Sequence, residues 1–207
     1  MHIRFANMAD VEEIYTIYCP YIEKTTITFE TKIPTLKEFR KRFDRITAHY
    51  PWLVVEENGV LLGYAYASRA FARAAYDWCV DLAIYFRMDC AHHGAASRLY
   101  EALLQLLFRQ QVRIVYALIT AENERSIHFH ERMGFHEVGI LKESGYKFGK
   151  WLDVVWMEKT LYAPRDPLPF RPINEVVSKD ERENLKLEEE TDGSDGSIDQ
   201  KKKCSCI

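Results

Sequence analysis

The stretch that decides the fold is YDWCVDLAIYFRMDCAHHGAAS, residues 76–97. Its apolar run over residues 82–86 predicts a buried strand, and the small residues that follow predict a turn into a helix. The first N–H groups of a helix have no intrahelical acceptor and lie at the positive end of the helix dipole. A strand, a small-residue turn and a helix start in this order therefore predict a site that suits a pyrophosphate.

Apolar periodicity and turn residues predict the elements on either side of this stretch. Before it, the pattern predicts a strand over residues 2–5, helices from residue 10 and over residues 35–48, and strands over residues 52–56 and 60–68. From it onward, the pattern predicts a strand over residues 77–86, a helix over 94–110, a strand over 113–120, a short helix over 124–133 and a strand pair ending at 161. This order predicts an α/β fold of the α+β type, in which helices cover both faces of a mixed sheet.

Composition and charge limit the class of protein. The chain has 207 residues, of which 47% are hydrophobic, and this is enough for one compact core. Its net charge of -3 argues against a nucleic-acid-binding surface. No apolar run approaches the length of a membrane span and the N-terminus lacks a signal-peptide pattern, so we expect a soluble, cytoplasmic protein.

The C-terminal part has a different composition. We expect the folded domain to cover residues 1–162 and residues 163–207 to form a Pro-rich and then charged tail that is largely disordered. The chain ends in Cys204-Ser205-Cys206-Ile207 behind three lysines, which has the form of a prenylation box. Because Ser205 is not aliphatic, a frayed tail is the simpler interpretation, and membrane attachment is expected only if Cys204 is prenylated.

Further segments, in their order and spacing, resemble the GNAT superfamily of acetyl-CoA-dependent acyltransferases. Within it, the chain is similar to the phosphinothricin and methionine-sulfoximine N-acetyltransferases over about residues 2–161. The segments that carry the resemblance, besides residues 76–97, are Tyr21-Ile22-Glu23, Tyr50-Pro51-Trp52-Leu53-Val54, Ala72-Arg73, Asn123-Glu124-Arg125-Ser126, His130-Glu131-Arg132-Met133-Gly134-Phe135 and residues 145–154. The resemblance implies a mixed, mostly antiparallel sheet with a splayed central strand pair, and it implies a homodimer.

The resemblance also implies acetyl-CoA as the co-substrate and a set of residues that bind it. It places Ile84, Tyr85 and Phe86 on the pantetheine arm, together with Asn123 and Ser126. It places the phosphates on His92, His93, Gly94, Ala95, Ala96 and Ser97. Ala91 stands where the family has Gln or Arg. Because most phosphate contacts come from backbone N–H groups, we expect the loss of one long side chain to weaken the binding of coenzyme A and not to abolish it.

Two residues stand where the family has its bases. Asp81 occupies the position of a catalytic Glu at the strand end, and His130 aligns with a histidine that the family uses as a base. Attack on a thioester needs a neutral amine, so a carboxylate or an imidazole must take a proton from an ammonium group. Because Asp is one methylene shorter than Glu, a water relay is favoured over direct abstraction. Structural roles, a helix-face histidine and a strand-end carboxylate, are the alternatives.

The acceptor site is also assigned by resemblance. It includes Arg73, Ala74, Ala75 and Tyr76, where a guanidinium would suit the α-carboxylate of an amino acid. Thr26 and Phe29 are further candidates. We interpret Lys147 as a solvated charge on a hairpin.

A metal site is not expected. His128 and His130 are two positions apart on the predicted helix and project about 200° apart, so they cannot share one ion. His136 lies beyond the predicted helix end at Gly134.

Two functions of different class remain open from the sequence. The first is an N-acetyltransferase that moves acetyl from acetyl-CoA to the amino group of a small amino acid or analogue. The second is a non-catalytic acyl-CoA-binding or regulatory module, in which Asp81 and Ala91 mark a decayed site. A cysteine nucleophile is less favoured, because neither Cys79 nor Cys90 has a neighbouring base in a known pattern.

Overall fold

The computed structural model describes residues 1–89, 94–161, 166–183 and 185. Its centre is one seven-stranded sheet in the order β1-β2-β3-β4-β5-β7-β6. The strands are β1 (His2–Phe5), β2 (Trp52–Glu57), β3 (Val60–Arg69), β4 (Cys79–Phe86), β5 (Ile114–Thr120), β6 (His136–Lys147) and β7 (Lys150–Thr160). All neighbouring pairs are antiparallel except β4 and β5, which are parallel. The predicted mixed, mostly antiparallel sheet is confirmed.

Six helices accompany the described sheet. They are α1 (Val11–Lys24), α2 (Leu36–Thr47), α3 (Ala95–Arg109), α4 (Glu124–Arg132), α5 (Ile173–Val176) and α6 (Lys179–Glu183). The predicted helix starts have local causes. Thr35 forms a capping box with Glu38 at the start of α2, and the side chain of Asn123 accepts a hydrogen bond from the N–H of Ser126 at the start of α4.

The side chains of the central strands alternate between two covered faces. On one face, Trp52 packs against Phe43 of α2, with ring centroids 5.0 Å apart, and Tyr85 packs against Tyr18 of α1 at the same distance. The opposite face, which includes the fully buried Leu53, packs against α3. Because both faces are covered, the open ends and edges of the strands remain for ligands.

The two parallel strands separate after three paired residues. The β4–β5 ladder ends at the pair Asp81 and Tyr116. Beyond it, β4 stays paired with β3 as far as Phe86, while β5 stays paired with β7 as far as Thr120. A cleft therefore opens between the two strands, and Asp81 lies where it begins. The predicted splayed central pair is confirmed.

The described part of the C-terminal segment differs from the expected disordered tail. Ile173 and Val177 are buried in the core, and the side-chain amide of Gln110 donates to the carbonyls of His49 and Arg171 at 2.7 and 2.8 Å. Residues 166–183 therefore pack on the domain. The expectation was wrong for them because Ile173, Val176 and Val177 lie within five residues of a mostly polar segment, too short a stretch to show a period. The prenylation box at Cys204 lies outside the described residues.

Candidate active site

The cleft between β4 and β5 offers main-chain groups on its β4 side. The N–H of Arg87 donates to the carbonyl of Leu62 in β3 at 2.8 Å. In an antiparallel pair, every second residue forms main-chain hydrogen bonds with the neighbouring strand, so Tyr85 also bonds to β3. The main-chain N–H and C=O groups of Ile84 and Phe86 point away from β3. Ile84 lies three residues beyond the last β4–β5 pair, so its N–H and C=O face the cleft. The structure thus supports Ile84 as a main-chain partner for an extended ligand.

The other two residues predicted beside Ile84 already have protein partners. The main chain of Phe86 exchanges hydrogen bonds with the hydroxyl of Tyr21, whose oxygen lies 2.6 Å from the Phe86 carbonyl oxygen. Tyr85 borders the cleft, but its ring packs in an aromatic cluster with Tyr18 and Tyr64. Tyr21 therefore fixes the end of β4.

The start of α3 lies just past the end of β4. Gly94 occupies the N-cap position with φ of 79°, and no side chain of a described residue caps this helix end. The N–H groups of Ala95, Ala96 and Ser97 precede the first intrahelical hydrogen bond, which the N–H of Arg98 makes to Gly94. Gly94 is exposed, so this positive helix end is open to an anion. His92 and His93 lie outside the described residues.

The cleft wall on the α4 side is built by a chain of hydrogen bonds. Asn123 and Ser126 line the cleft with His130, which is 4% exposed. The Nδ1 of His130 lies 2.8 Å from the carbonyl oxygen of Ser126, and its Nε2 lies 2.9 Å from the hydroxyl of Tyr100. A carbonyl only accepts, so Nδ1 carries the proton and Nε2 accepts from Tyr100.

This arrangement holds His130 in its neutral form. Burial lowers the pKa of the imidazole to about 4. Both ring nitrogens are already bonded within the protein, so neither has a free position for the proton of an acceptor amine. The structure places His130 at the cleft, as predicted from the sequence, but it favours a positioning role over the role of base.

Asp81 has the opposite character. It lies where the cleft begins, and no described residue forms a hydrogen bond with its carboxylate. Burial raises the pKa of this carboxyl to about 6. A partly buried carboxylate that ionises just below neutrality and has a free lone pair can take a proton from an ammonium group.

The loop between α1 and α2 crosses the sheet beside the cleft. The carbonyl of Thr26 accepts from the hydroxyl of Thr120 at the end of β5, and the carbonyl of Thr28 accepts from Nζ of Lys147 at 2.7 Å. The ring of Phe29 lies directly over Gly145 of β6. The interpretation of Lys147 as a solvated charge on a hairpin was therefore wrong. It is 4% exposed, and burial lowers its pKa.

The predicted acceptor segment lies on the surface next to β4. A single turn of 3-10 helix spans Ala74–Tyr76, and Arg73 precedes it. All four predicted residues, Arg73, Ala74, Ala75 and Tyr76, are exposed, and the Tyr76 ring packs against Phe71 with centroids 4.7 Å apart. The structure thus places this segment beside the N-terminal end of β4 without a contact to Thr26 or Phe29.

The described part of the chain has neither a metal-binding group of side chains nor a membrane-spanning helix. There, no three His, Cys, Asp or Glu side chains are grouped closely enough to hold a metal ion. None of the described helices is long and apolar enough to span a membrane.

Comparisons with known proteins place this cleft in a family. The model of the Acetyltransferase (GNAT) domain matches residues 3–156 of the 207. The chain belongs to the GNAT acetyltransferase family. It is an acetyl-CoA-dependent N-acetyltransferase, so the prediction of an enzyme is confirmed.

Individual GNAT relatives match a larger share of the chain than the domain model does. The chain is 36% identical over 176 residues to a phosphinothricin N-acetyltransferase of Streptomyces viridochromogenes, which covers 85% of this chain and 96% of that protein. It is 32% identical to an L-methionine sulfoximine/L-methionine sulfone acetyltransferase of Pseudomonas aeruginosa, over 79% of this chain and 96% of that protein. A phosphinothricin acetyltransferase from Sinorhizobium meliloti, solved in complex with acetyl-CoA, superposes with a TM-score of 0.78 at 31% identity, over 86% of this chain and 98% of that one.

Sequence reasoning missed several residues of this GNAT site. Tyr100 forms a hydrogen bond with His130 across 30 positions, Tyr21 binds the main chain at the end of β4, and Lys147 anchors the loop at Thr28. Each partner is distant in sequence. The only available signal was the apolar face on which Tyr21 and Tyr100 occur, and it does not reveal a hydroxyl contact.

Proposed function

We propose that the enzyme transfers acetyl from acetyl-CoA to the α-amino group of a small amino acid or amino-acid analogue, in one direct step with Asp81 as the base. The relatives named above carry phosphinothricin and methionine sulfoximine in their names, and these set the proposed substrate class. The observation that carries the mechanism is the position of the Asp81 carboxylate at the opening of the β4–β5 cleft, where no described residue forms a hydrogen bond with it.

The chemistry follows from charge and position. An amino group at neutral pH is mostly ammonium, and only the neutral amine attacks the thioester carbon. Asp81, with a pKa of about 6, is mostly ionised at pH 7 and accepts the proton directly or through one water. The C–N bond forms as the C–S bond breaks, and the nitrogen gives up its second proton to the departing thiolate, so that coenzyme A leaves as the thiol. A cleft that aligns amine and thioester supplies much of the rate.

The donor is proposed to lie along the cleft. The main chain of Ile84 would bond to the pantetheine arm, and the free amide NH₂ of Asn123, whose oxygen caps α4, would add a second contact. The N–H groups of Gly94, Ala95, Ala96 and Ser97 would bind the pyrophosphate. His130 and Ser126 position this wall and do not touch the transferred proton.

The test compares two matched substitutions in a thiol-release assay with an amino-acid panel that includes phosphinothricin and methionine sulfoximine. Asp81→Asn keeps the shape of the side chain and removes the base, so we expect kcat to fall about 10²-fold or more. Acetyl-CoA affinity should stay within about twofold, because no donor contact is lost.

His130→Gln is the control. A glutamine amide can donate to Ser126 and accept from Tyr100, so we expect the turnover to stay within a few fold and the rise of kcat near pH 6 to persist. Wild-type turnover in Asp81→Asn would overturn the mechanism. If the rise of kcat near pH 6 is lost in His130→Gln, in which Asp81 is intact, the base is His130.

We further propose a homodimer that acts in the cytoplasm, where acetyl-CoA is available. The support for the dimer is a group of exposed apolar side chains on the β6–β7 hairpin, among them Tyr146, Phe148 and Trp151, each more than half exposed. Sedimentation of the full chain at micromolar concentration should give the mass of two chains, and a single-chain mass would contradict the dimer.

A further inference from the structure

A second, larger cavity lies on the α1–α2 side of the sheet, outside the β4–β5 cleft. Its volume is about 870 Å³. Pockets of about 300–1,000 Å³ hold drug-sized ligands, so this space exceeds the needs of a single amino acid. It lies between α2, the end of β3 and the C-terminal segment, and its walls combine arginines with aromatic rings.

The charge of the lining is positive. Three arginines, Arg42, Arg45 and Arg69, face the cavity against a single acidic residue, Asp77. Arg42 is paired with Glu30, and Arg69 is paired with Asp77. Arg45 forms no ion pair with any described residue, so its guanidinium is available to an anion.

The aromatic part of the lining carries free hydroxyl groups. Tyr50 and Tyr66 both line the cavity, and neither hydroxyl has a hydrogen-bond partner among the described residues. The ring of Phe170 lies beside Tyr50, with centroids 5.4 Å apart. Aromatic walls with unpaired hydroxyls suit a ligand that has an apolar body and polar ends.

The C-terminal segment is held firmly as the outer wall. Phe170 and Pro172 line the cavity, and the residue between them is fixed twice by Gln110. The Arg171 N–H donates to the Gln110 main-chain carbonyl at 3.0 Å, and the Arg171 carbonyl accepts from Gln110 Nε2. Ile173 N–H donates to the carbonyl of His49. This segment lies beyond residue 156, where the GNAT domain match ends.

The cavity reaches the neighbourhood of Asp81. Ser68 lines it, and Ser68 is directly opposite Asp81 in the β3–β4 ladder, so both side chains lie on the same face of the sheet. Tyr66 also lines it, two residues away on that face. The space therefore runs from beside the base towards Arg45.

We propose that this cavity receives the far end of the acceptor, and that preferred acceptors are amines with an apolar or aromatic middle and a carboxylate at the far end, bound by Arg45. This inference rests on the proposed function, because it takes the amine to lie at Asp81. The carboxylate at the far end of the acceptor would form an ion pair with the Arg45 guanidinium, and the aromatic walls would cover the middle of the acceptor.

Two dipeptides of equal length test the proposal, phenylalanyl-glutamate and phenylalanyl-glutamine, which differ in one distal carboxylate. We expect wild-type kcat/KM to be about tenfold or more higher for the glutamate dipeptide. Arg45→Gln should reduce this ratio to near one, mainly through KM, and leave kcat and the KM for acetyl-CoA unchanged. Arg40→Gln is the matched control, because Arg40 is exposed on the same helix, pairs with Glu12 and does not line the cavity.

The outcomes separate the two proposals. If the enzyme acetylates methionine sulfoximine but treats the two dipeptides alike, or if Arg45→Gln keeps the preference, the inference is overturned and the proposed function stands. If no amine releases thiol, the proposed function fails. The inference is then tested by the equilibrium affinity of the two dipeptides for the acetyl-CoA-bound wild type and for Arg45→Gln. Equal affinities for both dipeptides would then overturn the inference as well.

Discussion

At the scale of the residue, Asp81 and His130 show how burial changes the pKa of a carboxyl and of an imidazole in opposite directions. Burial favours the neutral form of both groups, and therefore raises the carboxyl pKa to about 6 and lowers the imidazole pKa to about 4. The shifted carboxyl still ionises below pH 7, and no described residue forms a hydrogen bond with its oxygens. The imidazole stays neutral and is held by Ser126 and Tyr100. The sequence analysis predicted that both residues lie at the cleft, but it did not predict that their environments differ.

The raised pKa of Asp81 predicts a pH-dependent cost in stability. Between about pH 4 and pH 6 the folded state keeps a proton that the unfolded state has lost, so this group makes the wild type less stable as the pH rises through that window. Asp81→Asn removes the effect. The variant should therefore gain on the order of 1–3 kcal/mol relative to the wild type between pH 4 and pH 7, as measured by urea unfolding.

The control for this prediction is Asp44→Asn, which changes an exposed aspartate of α2. It should follow the wild type at every pH. If Asp81→Asn shows the same pH dependence as wild type, the Asp81 carboxyl is not buried at a cost, and its use as a base near pH 6 loses its physical basis.

At the scale of the element, the local structure follows from short-range contacts. The capping box at Thr35, the Asn58-Gly59 turn with both φ values positive, and the Asn123 cap all involve residues within three positions of each other. The anchoring of the loop between α1 and α2 was not predictable in this way. Lys147 reaches Thr28 across 119 positions, and a lysine on a hairpin is solvated in most proteins.

The contact between this loop and β6 predicts an effect of Gly145→Ala. A Cβ at this position would lie 2.1 Å from the ring of Phe29, and so the ring must move and the loop with it. We expect KM for the acceptor amine to rise about tenfold, because Phe29 is one of the residues that the family resemblance predicts for the acceptor site. Acetyl-CoA affinity should change less than twofold.

Gly139→Ala provides the matched control in the same strand. A Cβ there meets no atom within 4 Å, and neither glycine has a positive φ that a side chain would strain. Both variants should keep the fold by circular dichroism. A Gly145→Ala enzyme with the acceptor KM of Gly139→Ala would show that the position of Phe29 does not affect acceptor binding.

At the scale of the whole molecule, the described part of the C-terminal segment belongs to the core. Ile173 and Val177 are 1% and 3% exposed, and the buried side-chain amide of Gln110 donates to the carbonyls of Arg171 and His49. The motifs from which the resemblance was recognised end at residue 154 and therefore gave no reason to extend the domain. A short helix with two apolar residues four positions apart becomes visible only when its partners are folded beneath it.

This packing predicts that two C-terminal truncations behave differently. A chain that ends after residue 165 loses two buried aliphatic side chains, each worth about 1.5–3 kcal/mol, and leaves the Gln110 amide with one partner fewer. We expect its midpoint of thermal unfolding to fall by roughly 10 °C. A chain that ends after Leu185 keeps every contact described here and should unfold within about 2 °C of the full chain. Equal midpoints for the two truncations would show that residues 166–185 add nothing to the core, and the wall of the 870 Å³ cavity would then lack the rigidity its proposed role requires.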